Sequence, residues 1–415
     1  MNYDTLFRCM RCGFCLSVCP TYRESAMEPA APRGRVALIK ALAEGKLPVT
    51  ENLTRYIYGC LECLACTAMC PSGVRVDELV GAAKERINKE YPPSYLSKFI
   101  LEDVLASPRK LDHWLMPLRV YQRLGLQPLG RSLGGIFSER WRGLNDLLPP
   151  LPLHPLTDEI REVVPAKGET KRRVGFFLAC IQNMVLTDTS KATINVLREN
   201  HCDIVVPKGL KCCGMPYRGY GEIEMAREMA RHNIEAFEAA GVEIIVTDCA
   251  TCGSFTKEYG SLLKDDEKYS ERAQAFSRKV QDITQFLTSA IELKPPAEWV
   301  IRVTYHDPCH LLRGQKVAQE PRRVLSLIPG LKLVEMKEAD WCCGGAGSYN
   351  LTHYDLSMRI LDRKMANIKA TGASFVATGC PGCQLQLRLG VKRARLLSEV
   401  LHPVQLLAQA YERLD

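Results

Sequence analysis

Nowhere in the 415 residues do about 18 apolar residues run together, the length a membrane-crossing helix requires. The opening "MNYDTLFRCM" has no charged n-region followed by an apolar core, so the chain is expected to stay in the cytoplasm. Long basic runs are also missing; the formal charge of +8 is spread along the chain, which argues against a nucleic-acid partner. No G-x-G-x-x-G follows a first strand, and neither a Walker loop nor a hydrolase elbow occurs. Without a recognisable flavin or nicotinamide site, any redox role needs a partner chain.

Cysteine, by contrast, is abundant: there are 19, in a chain whose 46% hydrophobic content is ordinary for proteins that bury large cores. A long chain without an export signal keeps its thiols reduced, so metal ligation is the better expectation than disulfides. Eighteen of the 19 fall into four groups, and the groups come in pairs.

The first pair is "CMRCGFCLSVCP" from Cys9 to Pro20 and "CLECLACTAMCP" from Cys60 to Pro71, offset by 51 residues. C-x-x-C-x-x-C-x-x-x-C-P is the bacterial ferredoxin spacing, in which three close thiolates hold one [4Fe-4S] cluster and the fourth reaches the other. Two copies imply two clusters with exchanged ligands. Cys9, Cys12 and Cys15 pair with Cys70, while Cys60, Cys63 and Cys66 pair with Cys19. A zinc site would instead set C-x-x-C knuckles across a longer gap. "PRGRVALIKAL", Pro32 to Leu42, reads as a helix whose Arg33 and Arg35 either neighbour the anionic clusters or belong to a solvated helix start.

The second pair reads Cys180, Cys212-Cys213-Gly214 and Cys249-x-x-Cys252, then Cys309, Cys342-Cys343-Gly344 and Cys380-x-x-Cys383, at offsets of 129 to 131. Short β-branched runs alternate here with helical periodicity: "VGFFLA", "CDIVV", "VEIIVT", "WVIRVTY", "LKLVEM" and "ASFVAT" read as strands. Such alternation predicts βαβ units around parallel sheets. Cys180, Cys249, Cys309 and Cys380 then lie just past strand carboxyl ends, where open α/β sheets bind ligands. Five thiols per module exceed what a closed zinc site uses and suit an iron–sulfur cluster. Gly214, Gly344 and Gly345 would let the backbone approach a cofactor. Cys202 stands alone and is expected to be a buried small apolar residue.

These modules resemble the CCG domains of heterodisulfide reductase. "YHDPCHLLRGQ", "CCGGAGSYNLT" and "GCPGCQLQLR" are similar to segments of the iron–sulfur subunits of bacterial glycolate oxidase, a likeness covering nearly the whole chain. The resemblance implies an N-terminal helical ferredoxin-like domain carrying two [4Fe-4S] clusters, followed by two pseudo-repeated α/β CCG domains (α+β/α/β). On it, residues 1–90 form the two-cluster domain, 91–170 a helical connector and linker, 171–295 the first CCG domain and 296–415 the second. It further implies one or two noncubane [4Fe-4S] clusters, with zinc as the alternative at one module. The implied ligands are Cys180, Cys212, Cys213, Cys249 and Cys252, then Cys309, Cys342, Cys343, Cys380 and Cys383.

His306, Asp307 and His310 flank Cys309 either as proton carriers and donors to a cluster or as residues packed at a strand end. No residue of this chain is expected to act on carbon itself. The resemblance implies an oxidoreductase subunit that receives electrons from an FAD-containing 2-hydroxy-acid dehydrogenase chain, of glycolate or lactate type. It would pass them to quinone or another membrane acceptor, from a peripheral position on the inner face of the cell membrane. The alternative is a heterodisulfide-reductase-like subunit with disulfide chemistry at the CCG clusters. The region from Tyr91 to Leu148, with Trp114 and Trp141, would rest on lipid or pack against protein.

Overall fold

A computed structural model describes residues 3–92, 94–105, 107–127 and 149–414. The N-terminal part is helical. Pro32–Ala43 starts with proline at its first position, where the missing N–H costs nothing, and Glu51–Tyr58 is capped by Thr50, whose hydroxyl accepts from the Leu53 N–H. With Val76–Glu90, these helices bury Val36, Ile39, Leu42, Leu53, Ile57, Val80 and Ile87 in one core that supports both cysteine loops.

Two α/β modules follow. Val163–Val164 (β1), Arg172–Phe176 (β2), Cys202–Val205 (β3), Ile245–Thr247 (β4) and Val280–Asp282 (β5) form a sheet in the order β1-β3-β2-β4-β5. Only β1 is antiparallel. Ile301–Tyr305 (β6), Leu331–Leu333 (β7), Phe375–Ala377 (β8) and Glu399–Leu401 (β9) form an all-parallel sheet in the order β7-β6-β8-β9. Leaving β1 aside, both modules run second-first-third-fourth strand, so each reverses its winding between first and third strands. Cys180 and Cys249 follow the two strands at that crevice in one module; Cys309 and Cys380 do so in the other.

All six segments read as strands from the sequence form strands. Strands β1, β5 and β9 are not legible in the sequence: their two or three residues are closely flanked by polar ones, whereas the equally short β4, β7 and β8 lie in longer apolar runs. Strand β1 joins the first sheet, which therefore begins inside the stretch expected to be connector.

The modules share a continuous core. Val174, Phe176, Ile204 and Val246 of one, with Val303, Tyr305, Ala377 and Leu406 of the other, are wholly buried. Burying a large apolar side chain contributes about 1.5–3 kcal/mol. Ala250–Lys257 lies against His310–Gln315, and the close approach depends on Gly253 and Gly314. A Cβ at Gly253 would sit 2.5 Å from Gln315 Nε2, and one at Gly314 would sit 2.1 Å from Ser254 Oγ.

Helix Pro108–Arg123, capped by Ser107, leaves Trp114, Met116 and Val120 about half exposed while Arg119 is buried. Trp141 and residues 128–148 lie outside the described residues. No helix among the described residues is long and apolar enough to cross a membrane.

Candidate metal centres

The eighteen paired cysteines converge on four places. Cys9, Cys12, Cys15 and Cys70 line a cavity with about 400 Å³ of open space. Cys19, Cys60, Cys63 and Cys66 line a second, of about 410 Å³. Cys66 also borders the first cavity, so the two sites are neighbours. Each grouping contains three cysteines of one run and the last of the other.

The two loops share a backbone signature. Arg11 and Gly13 bracket Cys12 with φ of 56° and 89°, and Glu62 and Leu64 bracket Cys63 with φ of 49° and 61°. A left-handed non-glycine residue costs about 1–3 kcal/mol and persists where the surroundings demand it. Here the conformation curls the chain so that three thiols face one space. Helices Phe14–Ser17 and Ala65–Met69 start directly afterwards and place Cys15 and Cys66.

Burial pushes the Cys63 thiol up to about 11 and that of Cys66 well above its ordinary value. A bound cation would remove that cost, because a coordinating thiol is deprotonated outright. The Val74 N–H donates to Cys70 Sγ at 3.3 Å.

Arg35 lies in the wall of the second cavity and is 2% exposed, so it is no solvated helix start. Its guanidinium donates to Tyr56 O (2.8 Å), Gly59 O (3.0 Å) and Thr21 Oγ1 (3.2 Å). Among the described residues no carboxylate pairs with it. Arg33, in the wall of the first cavity, is more exposed and is neutralised by both oxygens of Glu28, at 2.7 and 3.2 Å. A buried cation without a counter-ion is costly unless an anion sits beside it. The second cavity therefore suits an anionic, thiolate-bound group.

In the first module the thiols form a run of neighbours. Cys180 lies beside Cys212, Cys212 beside Cys213, Cys213 beside Cys252 and Cys252 beside Cys249. The Cys212 and Cys252 thiols donate to Cys213 and bring it down to about 6. Cys249 Sγ accepts from the Cys252 N–H at 3.3 Å. In the second module Cys342, Cys343, Cys383 and Cys380 form the same run, with 3.4 Å between the sulfurs of Cys343 and Cys383. The Gly344 N–H donates to Cys342 Sγ at 3.4 Å. Gly214 and Gly344 have φ of 101° and 84°, and a Cβ there would meet the Phe255 ring at 2.8 Å and Ser357 O at 2.7 Å. Packing within the protein crowds both glycines, and a Cβ at Gly345 would come within 3.5 Å of Cys343 Sγ. Cys202 is fully buried in β3, away from all four groups.

The flanking residues differ from one another. Asp307 is held by Arg322 in a two-pronged ion pair of 2.7 and 2.8 Å, which makes it structural. His310 bridges domains: Nδ1 meets Thr251 Oγ1 at 3.3 Å and Nε2 meets Glu62 O at 3.1 Å. His306 is buried directly after β6.

The second cysteine loop docks on the second module. Cys63 packs with Trp341 and Cys342, and Cys309 joins the same cluster. Arg313 donates to Cys63 O at 3.4 Å and to Asp340 O at 2.9 Å, and the Tyr349 hydroxyl donates to Gly59 O at 3.3 Å. The N-terminal domain meets the first module elsewhere. Lys84 forms a buried ion pair with Glu62 and donates to Gly219 O at 2.8 Å, while Asn88 donates to Tyr220 O at 2.7 Å. Nothing in the spacing of the sequence marks Lys84, Arg313 or Tyr349, which act only through this junction.

Comparison with known proteins follows the same divisions. A 4Fe-4S dicluster domain matches residues 5–74, and the cysteine-rich CCG domain matches twice, over 174–256 and 303–388. The chain is 38% identical to the probable glycolate oxidase iron-sulfur subunit of Bacillus subtilis over 425 aligned positions, covering 99% of this chain and 95% of that protein. It is 30% identical to the glycolate oxidase iron-sulfur subunit of Escherichia coli, covering 100% and 96%. Lactate utilization protein A of Bacillus cytotoxicus is 32% identical over 236 residues, 57% of this chain and 98% of that protein.

Proposed function

Because the chain belongs to the family of glycolate oxidase iron–sulfur subunits, we propose that it is the electron-transfer subunit of a 2-hydroxy-acid dehydrogenase complex. It would receive electrons from an FAD-containing partner chain that oxidises glycolate or lactate. Quinone or another membrane acceptor would take them, with the exposed apolar side of Pro108–Arg123 as the peripheral contact.

The observation that carries this reading is the convergence of eighteen cysteines on four adjoining places. We assign Cys9, Cys12, Cys15 and Cys70 to one [4Fe-4S] cluster and Cys19, Cys60, Cys63 and Cys66 to a second. The two CCG sets are assigned to one or two further clusters. Iron–sulfur groups exchange electrons singly, which suits a chain that divides the two-electron output of a flavin. The chain's own part is to hold thiolates deprotonated, to supply N–H donors to their sulfurs, to balance charge through Arg35 and to exclude water. The apposition of Cys63 with Cys309 and Cys342 makes the second module the neighbour of the N-terminal pair.

Disulfide chemistry at the CCG sites would require a substrate sulfur to reach them. Apart from Cys180 and Cys309, the cysteines there are buried, which favours transfer through the protein over contact with a substrate.

The test is iron and sulfide analysis on anaerobically prepared protein. About eight irons correspond to the N-terminal pair alone and about sixteen to clusters at all four sites. A preparation without acid-labile sulfide overturns the reading, as does failure to accept electrons from the substrate-reduced flavoprotein.

A further inference from the structure

The two modules are alike in strand order but not in donors. His306 directly follows β6, the place that Phe177 occupies after β2. Both are 1% exposed. Phe177 stacks on Phe237 within an apolar core, as an aromatic ring at a strand end should. His306 has no such partner, and no nitrogen or oxygen atom among the described residues pairs with its ring nitrogens; the polar side chain within reach is the thiol of Cys343. Instead, a ring nitrogen and the sulfurs of Cys343 and Cys383 all lie within 4.8 Å of one another. Burying an imidazole with a polar atom left unpaired is costly, so its orientation needs a reason.

The fifth thiol supplies a second contrast. In the first module Cys180 lies beside Cys212 and closes a set of five sulfurs. In the second, Cys309 stands between Cys63 of the N-terminal loop and the module's own Cys342, Cys343 and Cys380, so it is shared with the neighbouring domain. His306 meets that run from another side, at its middle pair, Cys343 and Cys383.

We propose that His306 is a direct metal ligand, which makes the second module a mixed nitrogen–sulfur centre and leaves the first all-sulfur. The proposal rests on the metal-bearing reading above. Imidazole with thiolates suits an iron of an iron–sulfur group or a zinc ion. On iron, exchanging an anionic thiolate for a neutral imidazole raises the reduction potential, as histidine does in Rieske centres. The second module, next to the N-terminal pair, would then be the more readily reduced of the two.

The experiment is pulsed electron paramagnetic resonance on the anaerobic, stepwise reduced full chain, prepared with and without ¹⁵N-histidine, together with X-ray absorption at the zinc edge. The expected result is a strong histidine nitrogen coupling, or one nitrogen among the sulfurs of a zinc site. His306→Phe, which copies the first module, should abolish it while the metal content of the other three sites is retained. His306→Cys should keep the metal at full occupancy without the nitrogen signature, and so separates lost ligation from failure to fold. The proposal is overturned if wild type shows only weak couplings from hydrogen-bonded nitrogens, or if His306→Phe leaves spectra and metal content unchanged. Metal-free wild-type protein would instead defeat the underlying functional reading.

Discussion

Replacing Arg35 with glutamine removes a buried positive charge that no carboxylate neutralises among the described residues, from the wall of the cavity lined by Cys19, Cys60, Cys63 and Cys66. A unit charge acting over about 10 Å through an effective dielectric of about 20 is worth about 1.7 kcal/mol. That slightly exceeds the 59 mV that a tenfold change represents in a one-electron equilibrium, so the shift is measurable. Reduction adds negative charge, which the guanidinium favours, and its loss must lower the potential. The group held by Cys9, Cys12, Cys15 and Cys70 should move much less, because the nearer cation, Arg33, stays paired with Glu28. The assay is an anaerobic redox titration followed by electron paramagnetic resonance, with iron content verifying that both sites are filled. Arg35→Lys keeps the charge and should restore most of the potential despite losing the fork of hydrogen bonds. No shift, a rise, or an equal shift at both sites would refute the assignment of Arg35 as counter-charge.

Three further outcomes are expected. Gly221→Ala should loosen the N-terminal domain from the first module, because φ there is +81° and a Cβ would sit 2.8 Å from the Lys84 carbonyl carbon; a lowered thermal midpoint and earlier proteolysis near residue 90 would report it. Burial raises the Asp282 carboxyl to about 6, so its favourable contribution is complete below about pH 4 and is lost as pH rises through about 6. Asp282→Asn, which keeps the cap on helix Ile283–Ser289, should therefore gain about 1–3 kcal/mol over wild type by pH 8, about half of that at pH 5 and little at pH 3; thermal unfolding across that range would detect a contrary trend. Cys202→Ala should leave iron and sulfide unchanged and cost about 1 kcal/mol, since it shortens a buried apolar side chain; lost iron would show that Cys202 had been wrongly set aside.

Spacing along the chain was enough to reveal the four cysteine groups, their pairing and the position of Cys180, Cys249, Cys309 and Cys380 after strands. Ligand spacing within a loop and the period of a strand are local properties, and the internal repeat states each of them twice. Six strands were legible because each lies in a longer apolar run, such as "VEIIVT" or "ASFVAT", while β1, β5 and β9 were not, because polar residues flank them closely and they take their conformation from the neighbours they pair with. At Gly214 and Gly344 the sequence shows only that a Cβ is absent; that Phe255 and Ser357 need the room is a matter of packing.

What tertiary structure alone decided are the relations between distant segments. Arg33 and Arg35 sit two residues apart on one helix, yet the first is partly exposed and paired with Glu28 while the second is buried and has no carboxylate partner among the described residues, because Thr21, Tyr56 and Gly59 close over only the second. The contact of Cys63 with Cys309 and Cys342 joins loops about 250 to 280 residues apart, and the aim of His306 at Cys343 and Cys383 depends on how β6 and β8 pair. Burial, charge compensation and convergence of donors arise from packing between segments, and packing brings together residues that no periodicity links.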